Sequence, residues 1–193
     1  MGKIIVITNL SLDGVMQAPG RPDEDTRNSF KHGGWAVPYA AMLHASEAFT
    51  NLGAFLFGRH TYQDFYGFWP RQTDGNPFSE ILNNVPKYVV SRTLNEPLPW
   101  SNSKLLLGDA SQAVATLKGN LEKDILVFGS GRLVQSLMVG GVIDEFVLLI
   151  HPLILGSGHR LFADKGQVIA FELLGSKITD KGVVIATYHC VQQ

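Results

Sequence analysis

The sequence predicts an α/β fold: a mostly parallel central sheet with helices on both faces, three αβα layers in all, closed by an antiparallel C-terminal edge hairpin. Three observations predict it. Short, β-branched-rich runs recur along the chain and are apolar at consecutive positions, as in strands covered on both faces. Segments of helical period lie between several of them, and alternation of strand with helix favours a parallel sheet. The last two runs are separated only by a polar, glycine-containing turn, which reads as a hairpin.

Ile4-Ile5-Val6-Ile7 is the first strand-like run. Residues 11–37 follow as a long irregular stretch, glycine-rich and carrying Arg21-Pro22-Asp23-Glu24-Asp25. Ala41, Ala45, Ala48, Phe49 and Leu52 share one helical face, so a helix is expected over residues 38–52. Ala54-Phe55-Leu56-Phe57 is the second run, and residues 66–79, with Pro70, Gly75 and Pro77, read as a second long loop. Tyr88-Val89-Val90 and Leu105-Leu106-Leu107 come next. Ala110, Ala113, Val114, Leu117 and Leu121 line a helix that Asp109 and Gln112 open in the manner of a capping box. Ile125-Leu126-Val127-Phe128 precedes a helix marked by Leu133, Val134, Leu137 and Met138. Phe146-Val147-Leu148-Leu149-Ile150 is a further strand, and residues 168–174 and 183–190 form the closing pair about Asp180-Lys181-Gly182.

With 193 residues, 45% apolar and 17% charged, the chain can bury a sizeable core, and a single domain over residues 1–193 is expected. A formal net charge of −1 argues against general affinity for nucleic acid or an anionic membrane. The lone cysteine, Cys190, allows neither an internal disulfide nor a thiolate metal site. The histidines show no metal-ligand spacing, so no metal is expected. There is no leader-like N-terminus, and the longest apolar run, residues 146–155, is broken by His151 and Pro152 and falls short of the ~20 residues that span a bilayer. A soluble, cytoplasmic protein is expected.

In open α/β sheets, ligands gather at the carboxyl ends of strands. Three of those ends suit anions. Gly58-Arg59-His60-Thr61 follows the second run, combining close backbone approach, a guanidinium and a hydroxyl at a helix start. Ser91-Arg92-Thr93 follows the third. Gly129-Ser130-Gly131-Arg132 follows the fifth, where free backbone N–H groups open a helix. Together they imply a ligand with separated phosphates. Asp13, at the carboxyl end of the first strand, is the candidate hydrogen-bond partner or proton donor. Trp35, Tyr39, Phe65 and Trp69 lie in or beside the two long loops, where they stack on a planar heterocycle or pack beneath the loops.

Phe57-Gly58-Arg59-His60-Thr61-Tyr62, Val90-Ser91-Arg92-Thr93 and Val127-Phe128-Gly129-Ser130-Gly131-Arg132, in that order, resemble the NADPH-binding segments of the dihydrofolate reductase superfamily. Three further stretches look like the reductase domain of the bifunctional riboflavin-biosynthesis deaminase-reductase: Ser11-Leu12-Asp13-Gly14, Gly129 through Glu145, and Pro152-Leu153-Ile154-Leu155-Gly156-Ser157-Gly158 with Leu161-Phe162. No deaminase zinc signature accompanies them, so the reductase half would stand alone.

The resemblance implies a dihydrofolate-reductase-like fold and NADPH as cofactor. Gly58, Arg59, His60 and Thr61 would meet its phosphates, and Ser91 and Arg92 would hold the adenosine 2′-phosphate. Gly129, Ser130, Gly131, Arg132 and Leu133 would wrap the pyrophosphate and nicotinamide side. It leaves open whether the Gly129-Ser130 peptide is cis, as the matching bond is in dihydrofolate reductases. The implied activity is that of an NADPH-dependent reductase of a small heterocycle, foremost 5-amino-6-(5-phosphoribosylamino)uracil. The alternatives are a dihydrofolate or pterin reductase, or an NADP(H)-binding protein without catalysis. A phosphoribosyl group would want cations, for which Arg21, Arg27 and Lys31, or His159 and Arg160, are available. A homodimer is also implied.

Overall fold

The computed structural model describes residues 1–72, 75–162 and 168–191. Its strands are β1 (Ile4–Ser11), β2 (Leu52–Gly58), β3 (Lys87–Val90), β4 (Ser103–Leu106), β5 (Asp124–Gly129), β6 (Glu145–His151), β7 (Ala170–Ile178) and β8 (Val184–Val191). Its helices are α1 (Arg59–Phe68), α2 (Pro77–Asn84), α3 (Ala110–Gly119) and α4 (Gly131–Val139). The class is the one expected, α/β with mostly parallel strands and an antiparallel C-terminal pair. The chain divides into two compact units that interleave in sequence: Met1–Ile4 with Asn51–Val142, and Ile5–Thr50 with Ile143–Gln193.

The first unit carries the parallel order β4-β3-β2-β5. Its central strands are apolar over consecutive positions because both faces are covered: Ala54, Phe55, Leu56 and Phe57 are wholly buried, as are Ile125, Leu126 and Val127 to within a trace. The Asp109 side chain accepts from the Gln112 N–H at 3.0 Å and so opens α3 as its spacing predicts. Lys87, at the amino end of β3, is fully buried; its Nζ donates to the carbonyls of Leu82 (2.7 Å), Val85 (2.9 Å) and Asn83 (3.3 Å), closing the C-terminus of α2.

In the second unit β1 and β6 run parallel, while β8 pairs antiparallel with both β6 and β7. The β7–β8 turn uses Gly182 at φ 77°, and the Thr179 N–H donates to the Val183 carbonyl at 2.9 Å. The long segment after β1 is ordered by a small core of its own: Val15, Ala18, Phe30, Trp35 and Ala36, with Leu153 and Leu155 packed against it. Gln17, 3% exposed, ties that segment together. Its Nε2 donates to the carbonyls of Asp25 (3.1 Å) and Arg27 (3.0 Å), its Oε1 accepts from the His159 N–H (3.0 Å), and its carbonyl accepts from Trp35 Nε1 (2.7 Å).

Two expectations need correction. Residues 38–52 do not form one helix: 3₁₀ turns cover Val37–Tyr39 and Ala41–Phe49, Ala40 between them is left-handed at φ 49°, the winding breaks at Ala45, and Leu52 already belongs to β2. Ala41 and Ala45 are both buried, so the spacing does mark a covered face, but the left-handed Ala40 and the break at Ala45 keep the winding in short 3₁₀ turns. Residues 66–79 are not mainly loop. Helix α1 runs on to Phe68, and α2 starts at Pro77, where Asn76 Oδ1 accepts from the Phe78 N–H at 2.9 Å. Asparagine followed by proline at the first helical position is a helix start that reads equally as a turn. Residues 73–74 of that stretch lie outside the described residues.

Candidate functional site

Three strand ends of the first unit fall in line. Register places Gly58 opposite Val90 and Phe57 opposite Gly129, so Arg59, Ser91 and Ser130 follow adjacent parallel strands at one carboxyl edge. Gly58 and Ser130 are the N-caps of α1 and α4, and neither helix has a side-chain cap. The first-turn N–H groups of both helices therefore keep their capacity for an outside acceptor. The two caps touch: a Cβ on Gly58 would lie 2.3 Å from Ser130 Oγ and 3.1 Å from its N. Only glycine permits that approach. The Gly129-Ser130 peptide is cis, with Gly129 at φ 144°.

Around this edge stand the expected cations. Arg59 is half-buried, with Nη2 3.3 Å from His60 Nε2; Arg92 and Arg132 are exposed. Ser91 is buried and its Oγ accepts from the N–H groups of Thr93 and Leu94, both at 3.1 Å, so it builds the turn that presents Arg92. Thr61 is half-buried in the first turn of α1. Leu133 is buried, leaving its backbone N–H in the first turn of α4 as its polar contribution. Two adjacent uncapped helix N-termini and three guanidiniums fit a dinucleotide bearing several phosphates.

Phe65 and Trp69 belong to this unit but pack with their own kind. Phe65 lies against Phe57 (5.4 Å), Phe128 (6.0 Å) and Trp69 (6.2 Å), and Trp69 is edge-on to Phe78 at 5.0 Å. Both are half-buried, and their rings form one aromatic cluster with Phe57, Phe78 and Phe128.

The second unit holds Asp13, Trp35 and Tyr39. Asp13 Oδ1 accepts from Ser11 Oγ (2.7 Å) and the Leu155 N–H (3.1 Å), and Oδ2 from the Gly156 N–H (2.9 Å), while its carbonyl accepts from Arg160 Nε (2.9 Å). The Ser11 hydroxyl has the largest effect and lowers its pKa; burial, next in size, opposes it, and the Leu155 and Gly156 N–H groups add to the lowering, for a pKa of about 2. An anion so held has no proton to give at neutral pH. Through these bonds Asp13 clamps the turn after β1 to residues 155–156.

Trp35 and Tyr39 meet edge-to-face with His151, their centroids 5.1 and 5.0 Å from the imidazole. His151 is fully buried; its Nε2 lies 2.8 Å from Asn9 Oδ1, and its Nδ1 has no partner. In the sequence, only the position of His151 directly before Pro152, at the tip of a strand, marked it out.

The cations available for a phosphoribosyl group are mostly engaged. Arg27 binds Asp25 through Nε (2.8 Å) and Nη2 (2.5 Å), Arg21 pairs with Asp23 (3.5 Å), Arg160 holds the Asp13 carbonyl, and His159 Nε2 sits 3.3 Å from Asn28 Nδ2. Lys31 is exposed. Among the described residues no group of acidic, histidine or cysteine side chains is arranged to hold a metal, and no helix is long and apolar enough to cross a membrane.

Residues 2–185 match the family described as the RibD C-terminal domain. The uncharacterized protein YyaP of Bacillus subtilis strain 168 is 32% identical over 142 residues, covering 72% of this chain and 74% of that protein. Among solved structures, a protein of Shewanella sp. PV-4 assigned to riboflavin biosynthesis superposes with TM-score 0.71 at 21% identity, over the full length of both chains. Dihydrofolate reductase from Enterococcus faecalis, solved with NADP(H), gives 0.65 at 14% identity over 99% of this chain and 98% of that one. A pyrimidine reductase-like protein from Corynebacterium diphtheriae gives 0.64 at 13% identity, over 100% and 93%. At such identities these likenesses establish a dihydrofolate-reductase-like fold.

Proposed function

We propose that this chain, which belongs to the RibD C-terminal domain family, is an NADPH-dependent reductase of a small heterocycle, with 5-amino-6-(5-phosphoribosylamino)uracil as the foremost substrate. The observation that carries the reading is the seating of Gly58 against Ser130, which brings two uncapped helix N-termini together at the carboxyl ends of β2 and β5. Such a double N-terminus favours a pyrophosphate, whose charge it meets with backbone N–H groups and helix dipoles. Arg59 and Arg132 add charge at the starts of the same helices. Arg92, presented by the Ser91 turn, reads the 2′-phosphate, since a guanidinium engages phosphate bidentately and gains little from a ribose hydroxyl.

The nicotinamide, when bound, supplies the hydride. The chain's part is to bind, orient and exclude water. Asp13 holds the turn after β1 in one conformation through four hydrogen bonds at its side chain and carbonyl, which fixes the loop that follows without donating a proton. The exposed Leu173, Leu174 and Ile178 on β7 support a homodimer in which a second copy covers them; sedimentation that reports a monomer at every concentration contradicts that part.

Turnover is measured as loss of reduced-nicotinamide absorbance on mixing protein, NADPH and a candidate substrate. Oxidation with 5-amino-6-(5-phosphoribosylamino)uracil and none with dihydrofolate is expected. NADPH binding without turnover of uracil, pterin or folate substrates leaves a cofactor-binding protein and removes the reductase.

A further inference from the structure

Buried polar atoms in folded proteins almost always have a partner, and an exception asks for a cause. His151 Nδ1 is such an exception. The residue ends β6 opposite Ser11 at the end of β1, so the imidazole stands at the carboxyl ends of two parallel neighbours, the position at which α/β folds receive ligands. Its side chain is wholly inaccessible, yet only Nε2 is satisfied, by Asn9 Oδ1 at 2.8 Å. Because a carboxamide oxygen only accepts, Nε2 carries the proton and Nδ1 presents a lone pair.

The surroundings narrow what that lone pair can meet. Trp35 and Tyr39 wall the ring edge-to-face, at 84° and 80°, and Trp35 is pinned through Nε1 to the Gln17 carbonyl. Asn9 is half-buried, and its Nδ2 donors have no partner among the described residues. Burial pushes the His151 pKa down to about 4, so the ring is neutral at physiological pH and offers an anion nothing. Nor do acidic, histidine or cysteine side chains gather there for a metal. What remains is a flat, uncharged group with an N–H to give and a carbonyl to receive: a cyclic amide heterocycle. Trp35 is buried, whereas Tyr39 is half-buried on a single 3₁₀ turn before the left-handed Ala40, so Tyr39 is the ring that would have to give way to such a group.

We propose that His151 is a substrate-recognition residue whose Nδ1 accepts a hydrogen bond from a ring or exocyclic N–H of the heterocycle, with Asn9 fixing its tautomer. This rests on the reductase reading for the identity of the heterocycle as substrate.

The test is a titration of wild-type protein, ¹⁵N-labelled at histidine, followed at the His151 ring nitrogens, with NADPH alone, then 5-amino-6-(5-phosphoribosylamino)uracil, then dihydrofolate. The Nδ1 resonance is expected to move with a heterocycle and to stay in place with NADPH alone. His151→Phe, which keeps the aromatic packing, is expected to raise KM for the heterocycle roughly 3- to 10-fold, the worth of one neutral hydrogen bond, with little change in kcat or in NADPH affinity. A stationary Nδ1 resonance at saturating heterocycle, or an unchanged KM in His151→Phe, overturns the proposal. Should the imidazole respond to a heterocycle while NADPH fails to bind, the reductase reading falls and the recognition site stands. An intact NADPH response beside a silent imidazole gives the reverse.

Discussion

Gly58 and Ser130 approach so closely that a single added methyl group has no room: its carbon would stand 2.3 Å from Ser130 Oγ, 3.2 Å from Cβ and 3.1 Å from N. The Oγ can rotate away, but the backbone nitrogen cannot. Gly58→Ala is therefore expected to cost about 1–3 kcal/mol of stability, the usual penalty of overpacking, and to part the two helix starts enough to weaken NADPH binding. Adding Ser130→Gly removes two of the three clashing atoms and is expected to recover part of the loss. Thermal melts and NADPH titrations of the single and double variants check this; additive losses contradict it.

Asp13→Asn turns an acceptor-saturated carboxylate into an amide, whose NH₂ must confront a backbone donor of Leu155 or Gly156. The variant is expected to melt lower and to lose substrate affinity while NADPH affinity holds. Asp13 has a folded-state pKa of about 2 against an ordinary 3.8, so its contribution is present in full above the ordinary value and fades as pH falls through the folded one. The stability gap between wild type and Asp13→Asn is thus flat near neutrality and closes between about pH 4 and about pH 2. A gap that does not change with acid denies the clamp.

Lys87 is a buried ammonium 4.8 Å from the centre of the Trp100 ring, with three carbonyls on its protons. Lys87→Met fills the space but leaves those carbonyls without donors, and a loss of roughly 1–3 kcal/mol is expected. Burial lowers its pKa to about 8 from 10.5, so between those values the unfolded chain binds the extra proton. Wild type therefore gains stability relative to Lys87→Met as pH rises from about 8 to about 10.5; a constant or shrinking gap in guanidine melts contradicts this.

The strands were legible in the sequence because burial on both faces writes itself as consecutive apolar residues, as at Ala54-Phe55-Leu56-Phe57 and Ile125-Leu126-Val127. The turns that hold Gly58, Arg59, Arg92 and Gly131 could be located because they follow such runs directly. Helix α2 was missed although Asn76-Pro77 announced it, since the same pair also opens turns. The segment around Ala45 carries helical spacing, but that spacing marks a buried face without fixing the winding, which is 3₁₀ and breaks at Ala45. The environment of His151 was beyond sequence: Asn9, Trp35 and Tyr39, distant in the chain, close around the ring and leave Nδ1 without a partner.

The claim on which the account stands is that the three strand tips of the first unit hold NADPH and read its 2′-phosphate. Separate titrations of NADPH and NADH into wild type and Arg92→Ala, followed by tryptophan fluorescence, test it most directly. The account predicts tighter binding of NADPH than NADH by wild type, and an NADPH affinity about 10- to 100-fold weaker in Arg92→Ala, as for a lost charge-assisted hydrogen bond, with NADH unaffected. Equal losses for both nucleotides, or no binding of NADPH by wild type, would contradict it.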